Sequence, residues 1–326
     1  MAETTNTANT EKGKRGRGLN GRRHQQVRRA LNGASSGLLP SRGPEKPLPI
    51  FSLPLDPTGR FAEIVPIADP HVGHVDHDQK TFYEVLNLID KVPHIRWVDV
   101  GDNTDCTDFR PNYLGASMTI PQQFEAFGQD VRRIVKKLLV AVEGNHEARL
   151  TVAAKDGIPW YKWFWQSLGA KKAIIAKPDC EITFIARVGN IDYSLCVMHT
   201  LSGAVKDKFR AHKQSESVRL VDIFIAGHNH QLGAREKRMF MPSFKYRCWY
   251  RQLYGLLEVA SGSFLRDPGY TKQKNYPLPA VGSLILRLHA DSHRVEALDP
   301  YTEYGHLMNA DEYKSDKTYR LSGSSP

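Results

Sequence analysis

Five short apolar segments of the chain each end in an aspartate, an asparagine or a histidine, and this pattern constrains the fold more than any other feature. Three of them, "EIVPIAD", "IRWVDVGD" and "KLLVAVEGNHE", alternate with two segments of helical character, residues 78–92 and 120–137. Such alternation predicts parallel strands joined by helical crossovers. Because functional residues of open α/β sheets lie beyond the carboxyl ends of the strands, the polar ends mark a candidate site.

The second half of the chain has a pattern that is richer in strands. Residues 180–200 predict a hairpin that turns at Gly189-Asn190, and "VDIFIAGHNH" predicts another buried strand that ends in histidines. Residues 243–264 and 282–298 also have strand character. We therefore predict an α/β fold in which two packed, mixed β-sheets are flanked by helices.

The charge of the chain is concentrated in its first 47 residues. This segment holds ten lysines and arginines against three acids and has few large apolar residues. It cannot offset its ordering entropy by burial, so we predict a flexible basic arm over 1–47, a folded domain over 48–300 and a polar C-terminal tail over 301–326. Blocks of positive charge attract phosphate backbones, so the arm is either a nucleic-acid-binding segment or a solubilising tail.

The sequence predicts a cytoplasmic protein. No apolar run approaches the roughly 20 residues that a membrane helix needs, and the N-terminus has no apolar signal region. The four cysteines are scattered without a C-x-x-C pair, which favours reduced thiols.

The polar ends of the five predicted strands form a chemically consistent set. They are Asp69 and His71, then Asp102 and Asp105, then Asn145 and His146, then His199, then His228 and His230. A single pair of this kind is weak evidence, but five in succession are hard to obtain by chance. Imidazole, carboxylate and amide without thiolate favour manganese, iron or zinc.

The order D-x-H, G-D-x-x-D, G-N-H-E, H, G-H-x-H resembles the calcineurin-like metallophosphoesterases over residues 62–265, and "ASGSF" at 260–264 resembles a Gly-Ser block of that family. The resemblance implies a four-layer α/β/β/α sandwich and metal-dependent hydrolysis of phosphoesters. Cys106 and Thr107 stand where the family's protein serine/threonine phosphatases carry an Arg-Gly pair, which argues against a close link to that subgroup.

The resemblance also implies a role for each residue. The first metal would be held by Asp69, His71, Asp102 and His230, and the second by Asp102, Asn145, His199 and His228. Asp102 would bridge the two ions, while His146 would face the substrate and be oriented by Asp105.

Elementary chemistry agrees with these roles. Two ions about 3.5–4 Å apart can share a hydroxide and clamp a phosphoryl oxygen, so that attack on phosphorus proceeds in line. His146 is suited to give the leaving oxygen its proton. We expect two divalent ions, with manganese favoured and iron or zinc as alternatives.

The substrate is harder to predict than the reaction. Arg110 could clamp a phosphate; the alternative is a solvated loop residue. Arg149, one helical turn from His146, could also bind the substrate; the alternative is a surface salt bridge. Basic residues are interleaved with aromatic ones in 244–251, and 205–213 is basic as well. These features favour a nuclease or phosphodiesterase acting on nucleic acid. A small-molecule or protein phosphatase and a non-catalytic binding module are the alternatives.

Three further interpretations concern residues near these motifs. His74 and His77 are most simply loop residues, and Asp76 or Asp78 is most simply a helix N-cap. The aromatic run at 160–165 is more typical of a core or a subunit contact than of a base-stacking surface.

Overall fold

The computed structural model of the chain describes residues 47–107, 115–153, 160–176, 181–199, 221–245, 248–266 and 280–315. All the elements given below lie in the compact unit Leu48–Pro326. Arg110 and the basic segment 205–213 lie outside the described residues, as does nearly all of the N-terminal arm.

Two six-stranded sheets form the centre of this unit. Sheet A contains β1 (Ile50–Ser52), β6 (Ile182–Val188), β7 (Ile191–Met198), β8 (Ile223–Ala226), β9 (Leu232–Lys245) and β10 (Cys248–Ser261), in the spatial order β1-β6-β7-β8-β10-β9. Sheet B contains β2 (Phe61–Ile67), β3 (Ile95–Asp99), β4 (Leu138–Ala141), β5 (Ile174–Ile175), β11 (Ile285–His289) and β12 (Val295–Leu298), in the order β12-β11-β2-β3-β4-β5.

Both sheets are mixed. In sheet B the strands β2 to β5 pair in parallel, whereas β11 pairs antiparallel with both β2 and β12. In sheet A the hairpins β6–β7 and β9–β10 are antiparallel, and β8 is parallel to both β7 and β10. The predicted fold class is therefore confirmed, and the β6–β7 hairpin turns at Gly189-Asn190 as predicted.

The helices of the described part are short and lie between or after the strands. They are α1 (Gln79–Lys91), α2 (Ile120–Val131), α3 (Asn145–Ala153), α4 (Trp160–Ser167), α5 (Pro300–Tyr304) and α6 (Ala310–Ser315). Asp78 caps α1, because its carboxylate accepts the Thr81 N–H at 3.2 Å. Thr119 and Gln122 form a capping box at the start of α2, next to Pro121.

Alternating residues of sheet B face two different cores. Ile64 and Val98 pack towards sheet A with Phe184 and Leu195, whereas Ile67 and Trp97 face the helices. The second of these cores contains buried aromatic rings from α1, α2 and α4: Phe82, Phe127, Tyr161 and Trp165. The aromatic run at 160–165 therefore contributes to the core, as predicted, although Trp163 is exposed.

The C-terminal tail that the sequence places at 301–326 is folded as far as Ser315. Tyr313 is buried, its hydroxyl donates to the Asp130 carbonyl, and the Asn87 amide donates to the Leu307 carbonyl at 2.7 Å. A few apolar residues in this polar segment therefore anchor short helices to the domain, and the boundary at residue 301 stays a prediction. None of the helices in the described ranges is long and apolar enough to cross a bilayer.

Candidate metal centre

The loops that follow β2, β3, β4, β7 and β8 meet at the carboxyl ends of these strands. Backbone hydrogen bonds tie the first two together, since Asp69 N–H donates to the Gly101 carbonyl and His71 N–H to the Asp102 carbonyl, each at 3.0 Å. The last loop joins them through His228 N–H, which donates to Asp69 Oδ2 at 2.9 Å. The structure thus brings together the nine residues that the sequence proposed as metal ligands or catalytic groups.

The first cluster consists of Asp69, His71 and His230. His230 Nε2 lies 3.3 Å from both Asp69 Oδ1 and His71 Nε2, and His71 Nε2 lies 3.8 Å from Asp69 Oδ1. Burial opposes ionisation of Asp69, but the neighbouring His230 holds the pKa of that carboxyl well below its usual value. Burial lowers the pKa of His71 to about 4, so its imidazole is neutral and able to bind a metal.

The second cluster consists of Asp102, His199 and His228, with Asn145 beside it. His199 Nε2 lies 3.2 Å from Asp102 Oδ2 and 2.9 Å from Asn145 Oδ1, while its Nδ1 donates to the Val100 carbonyl at 2.8 Å. Burial acts to lower the pKa of His199, but the charge of Asp102 outweighs it and raises the value to about 10.

Asp102 connects the second cluster to a third, which contains His71 and His146. Its Oδ2 lies 3.9 Å from His146 Nε2 and 4.0 Å from His71 Nε2. Asp102 is therefore a carboxylate shared by two adjoining clusters, which is the position that the resemblance assigns to a bridging ligand.

His146 is held both at its backbone N–H and at its ring. Its N–H donates to Asp102 Oδ1 at 2.8 Å, and its Nδ1 bonds to the carbonyl oxygen of Asp105 at 2.7 Å. A carbonyl only accepts, so Nδ1 carries the proton and Nε2 is left for the site. The Asp105 carboxylate, which the sequence proposed as the orienting group, is farther away, with Oδ1 at 3.7 Å from Nδ1. Asp105 thus orients His146 mainly through its backbone.

The residues present fit two divalent cations. Asp69 Oδ1 and Asp105 Oδ2 are buried oxygens without a hydrogen-bond partner, which is costly unless a cation satisfies them. The ligand-type atoms of each cluster lie within 4.8 Å of one another. Imidazole, carboxylate and amide donors are compatible with manganese, iron or zinc.

Backbone strain is concentrated in the same residues. Six described residues other than glycine have positive φ, and five of them are proposed ligands: Asp69 (51°), His71 (48°), Asp102 (53°), His228 (77°) and His230 (53°). Left-handed conformations cost such residues about 1–3 kcal/mol each and persist where the surroundings enforce them, typically at functional sites.

Two glycines allow the ligand loops to approach closely. A Cβ on Gly144 would lie 2.1 Å from Asp102 N, and a Cβ on Gly227 would lie 3.1 Å from both Asp69 Oδ2 and His199 Nδ1. Neither glycine has a positive φ, so it is the lack of a side chain that matters at both positions. The motifs contain these glycines, but the groups that they approach are distant along the chain and could not be predicted from the motif spacing.

Glu147 is a buried residue of the site for which the sequence predicted no role. Its two carboxylate oxygens accept the N–H groups of Asp102 at 3.0 Å and Thr104 at 2.9 Å. Burial and the charge of Asp102 raise the pKa of Glu147 well above its usual value. Its place in the G-N-H-E block was the only available signal.

The loop after β2 is supported from behind. The Asp69 carbonyl accepts the N–H of Phe264 at 3.0 Å, so the 260–264 block contacts the first motif. His77 Nδ1 bonds to the Pro70 carbonyl at 2.7 Å, and His74 Nδ1 accepts the Asp76 N–H at 3.1 Å. Both histidines are therefore loop residues with local hydrogen bonds, as the simpler interpretation expected.

Arg149 lies exposed on α3, and its contact with a substrate stays a prediction. Cys106 and Cys196 are free and buried, in agreement with reduced thiols. In the basic and aromatic stretch 244–251, strands β9 and β10 pair at residues 244–245 and 248–251, but the side chains lie outside the described part.

Comparison with known proteins gives structural neighbours only. No protein-family model and no curated protein matches the chain. Among solved structures it is similar to a metallophosphoesterase from Sphaerobacter thermophilus, with 14% identity, a TM-score of 0.36, and coverage of 77% of this chain and 99% of that one. It is also similar to a Vps29 from Entamoeba histolytica complexed with zinc, with 13% identity, a TM-score of 0.34, and coverage of 72% of this chain and 96% of that one. A third similar structure is a predicted phosphoesterase from Streptococcus pneumoniae, with 14% identity, a TM-score of 0.29, and coverage of 73% of this chain and 98% of that one.

Proposed function

We propose that the protein is a phosphoesterase that uses two divalent metal ions. One observation carries this conclusion: the Asp102 carboxylate belongs to two adjoining clusters of ligand-type side chains, and one of these shares His71 with the cluster of Asp69 and His230. Two such ions, when bound, would supply the charge that activates water and polarises a phosphoryl group. Asp69, His71, Asp102 and His230 would hold one ion, and Asp102, Asn145, His199 and His228 the other.

The protein's own residues then perform two tasks. The five strand ends hold the ligands in a fixed arrangement, which lowers the reorganisation needed during the reaction. His146, with Nδ1 fixed by the Asp105 carbonyl, directs Nε2 into the site beside Asp102. In its protonated state, this nitrogen can transfer a proton to the oxygen of the departing group.

The test is hydrolysis of bis-p-nitrophenyl phosphate and p-nitrophenyl phosphate by the full chain, with and without added Mn²⁺. We expect turnover that depends on the metal and is abolished by chelation. If the protein is shown to bind Mn²⁺ but hydrolyses neither ester nor any nucleic acid, the proposed activity is wrong.

The finer proposal is that the substrate is a phosphodiester of nucleic acid and that manganese is the natural ion. The net charge of +7 on residues 1–47 favours a polyanionic substrate, since such charge increases affinity for phosphate backbones. Labelled single-stranded DNA and RNA should be cleaved, and deletion of residues 1–47 should raise the KM for these polymers while leaving bis-p-nitrophenyl phosphate unaffected. Hydrolysis of the p-nitrophenyl esters without cleavage of either polymer would favour the small-molecule or protein phosphatase, whereas equal activity on polymers with and without the arm would contradict the role of the arm.

A non-catalytic binding module is the least favoured alternative. All seven proposed ligands are present and converge, whereas a module without catalysis has no need to retain strained ligand loops. We also propose that the protein acts in the cytoplasm, where its buried thiols stay reduced.

A further inference from the structure

Asp99, the last residue of β3, is a fully buried carboxylate for which the proposed chemistry has no use. Its Oδ1 accepts the Gly101 N–H at 3.0 Å, and its Oδ2 accepts the Asn103 side-chain amide at 2.9 Å. The Asp99 side chain therefore spans the turn that contains Asp102, with one oxygen bonded on each side of it.

Tyr161 of α4 completes this arrangement. Its hydroxyl contacts Asp99 Oδ2, lies 2.9 Å from the Asn103 amide nitrogen and 3.1 Å from the Val142 carbonyl. Only 2% of Tyr161 is exposed, so these contacts are made without competition from water. One hydroxyl thus contacts the loops after β3 and β4, which carry Asp102 and Asn145.

The turn that Asp99 spans is strained. Gly101 has φ of 92° and Asp102 has φ of 53°, so two successive residues are left-handed. A non-glycine residue holds such a conformation only where its neighbours enforce it. On the other side of the turn, Glu147 accepts the N–H groups of Asp102 and Thr104.

We propose that Tyr161, acting through Asp99 and Asn103, is a positioning residue that fixes the Asp102 carboxylate for binding of two cations. Outer groups of this kind set the orientation of metal ligands, and their loss typically weakens metal binding about 10–100-fold. This inference rests on the proposed function only in taking Asp102 as a metal ligand. It also gives the aromatic run of α4 a role beyond packing.

The variant Tyr161→Phe tests this inference because it removes one hydroxyl and leaves the ring in place. Tyr193→Phe is the matched control, since Tyr193 is also fully buried and its hydroxyl lies 2.7 Å from the His289 carbonyl and 2.8 Å from the Ser292 carbonyl, at the turn between β11 and β12. Each full-length variant is titrated with Mn²⁺ by calorimetry, its melting temperature is measured without metal, and its turnover of bis-p-nitrophenyl phosphate is followed against Mn²⁺ concentration.

We expect both variants to lose thermal stability, but only Tyr161→Phe to bind Mn²⁺ about 10-fold or more weakly. Its turnover should be low at limiting Mn²⁺ and recover as the ion approaches saturation. Wild-type affinity in folded Tyr161→Phe, or equal weakening in Tyr193→Phe, overturns the inference. If Tyr161→Phe does not fold, Asn103→Ala, which removes the other donor to Asp99 Oδ2, is held to the same expectation.

The proposed function fails in a different way. Wild-type protein that binds Mn²⁺ but turns over no phosphoester contradicts the activity and leaves the positioning role of Tyr161 intact. Wild-type protein that binds no Mn²⁺ overturns both.

Discussion

Substitution of Gly144 by alanine should disable the metal centre through one methyl group. The added Cβ would lie 2.1 Å from Asp102 N, 2.2 Å from Asp102 Oδ1 and 2.7 Å from Glu147 Oε2. Contacts below 3.0 Å are not tolerated, so the Asp102 backbone must move by about 1 Å. Displacement of a catalytic group by about 1 Å can cost about 100-fold in rate.

The stability of the variant should fall less than its activity. Overpacking of a well-packed interior costs about 1–3 kcal/mol, which a protein of ordinary stability survives. We therefore expect Gly144→Ala to fold, to bind Mn²⁺ weakly, and to hydrolyse bis-p-nitrophenyl phosphate at least about 100-fold more slowly.

The assay combines calorimetric titration with Mn²⁺, steady-state hydrolysis at several Mn²⁺ concentrations and thermal denaturation. Gly305→Ala is the control, because a Cβ there has no neighbour within 4 Å and Gly305 already has a right-handed helical φ of −50°. It should match the wild type in every measurement. Folded Gly144→Ala with wild-type metal affinity and turnover would refute the steric reasoning.

Three other predictions address separate properties. His146→Gln should keep its Mn²⁺ affinity and lose about 10²–10⁴-fold in turnover. The loss should be smaller for p-nitrophenyl esters than for alkyl esters, because alkoxide leaving groups need the proton more. Equal losses on both kinds of ester would contradict the role of His146 as an acid. Each bound Mn²⁺ ion, at 100 times its dissociation constant, should stabilise the wild type by about 2.7 kcal/mol, measured as a rise in melting temperature that EDTA reverses, and Asp102→Ala should show no such rise. Burial raises the pKa of Asp130 to about 7, against the lowering effect of the Tyr83 hydroxyl, so the folded state keeps this proton from about pH 4 to pH 7 while the unfolded state has lost it. Stability is therefore lost as pH rises through this range. The melting temperature of Asp130→Asn relative to that of the wild type should increase from pH 4 to pH 7.5. A constant difference would show that the pKa of Asp130 is not raised by folding.

The fold was predictable where a strand or helix carries its own local pattern. Parallel β2, β3 and β4, and the hairpin at Gly189-Asn190, follow from apolar runs and turn residues that are contiguous in sequence. The short strands β1 and β5, with three and two residues, have no such pattern and exist because a neighbouring strand offers hydrogen bonds. Helix α6 also lacks a local pattern of its own, and packing of Tyr313 against α1 holds it in place.

The identities of the proposed ligands were also predictable. Asp69 and His71, like His228 and His230, directly follow buried strands, and parallel strands deliver such residues to one edge of their sheet. Their carboxylate and imidazole groups indicate cation binding independently of the rest of the fold. The orientation of His146 was not predictable. Its Nδ1 lies 2.7 Å from the Asp105 carbonyl oxygen and 3.7 Å from the Asp105 carboxylate, and the sequence does not determine such a small difference in distance.

The sequence by itself determined which residue types stand at the strand ends and in what order, because both are local properties of the chain. Only the tertiary structure decided what holds them in place. The left-handed turn at Asp102, the two oxygens of Glu147 and the hydroxyl of Tyr161 act on one another from positions up to about 60 residues apart. Their effect depends on burial, which removes the competing water and turns ordinary polar groups into constraints on the metal ligands.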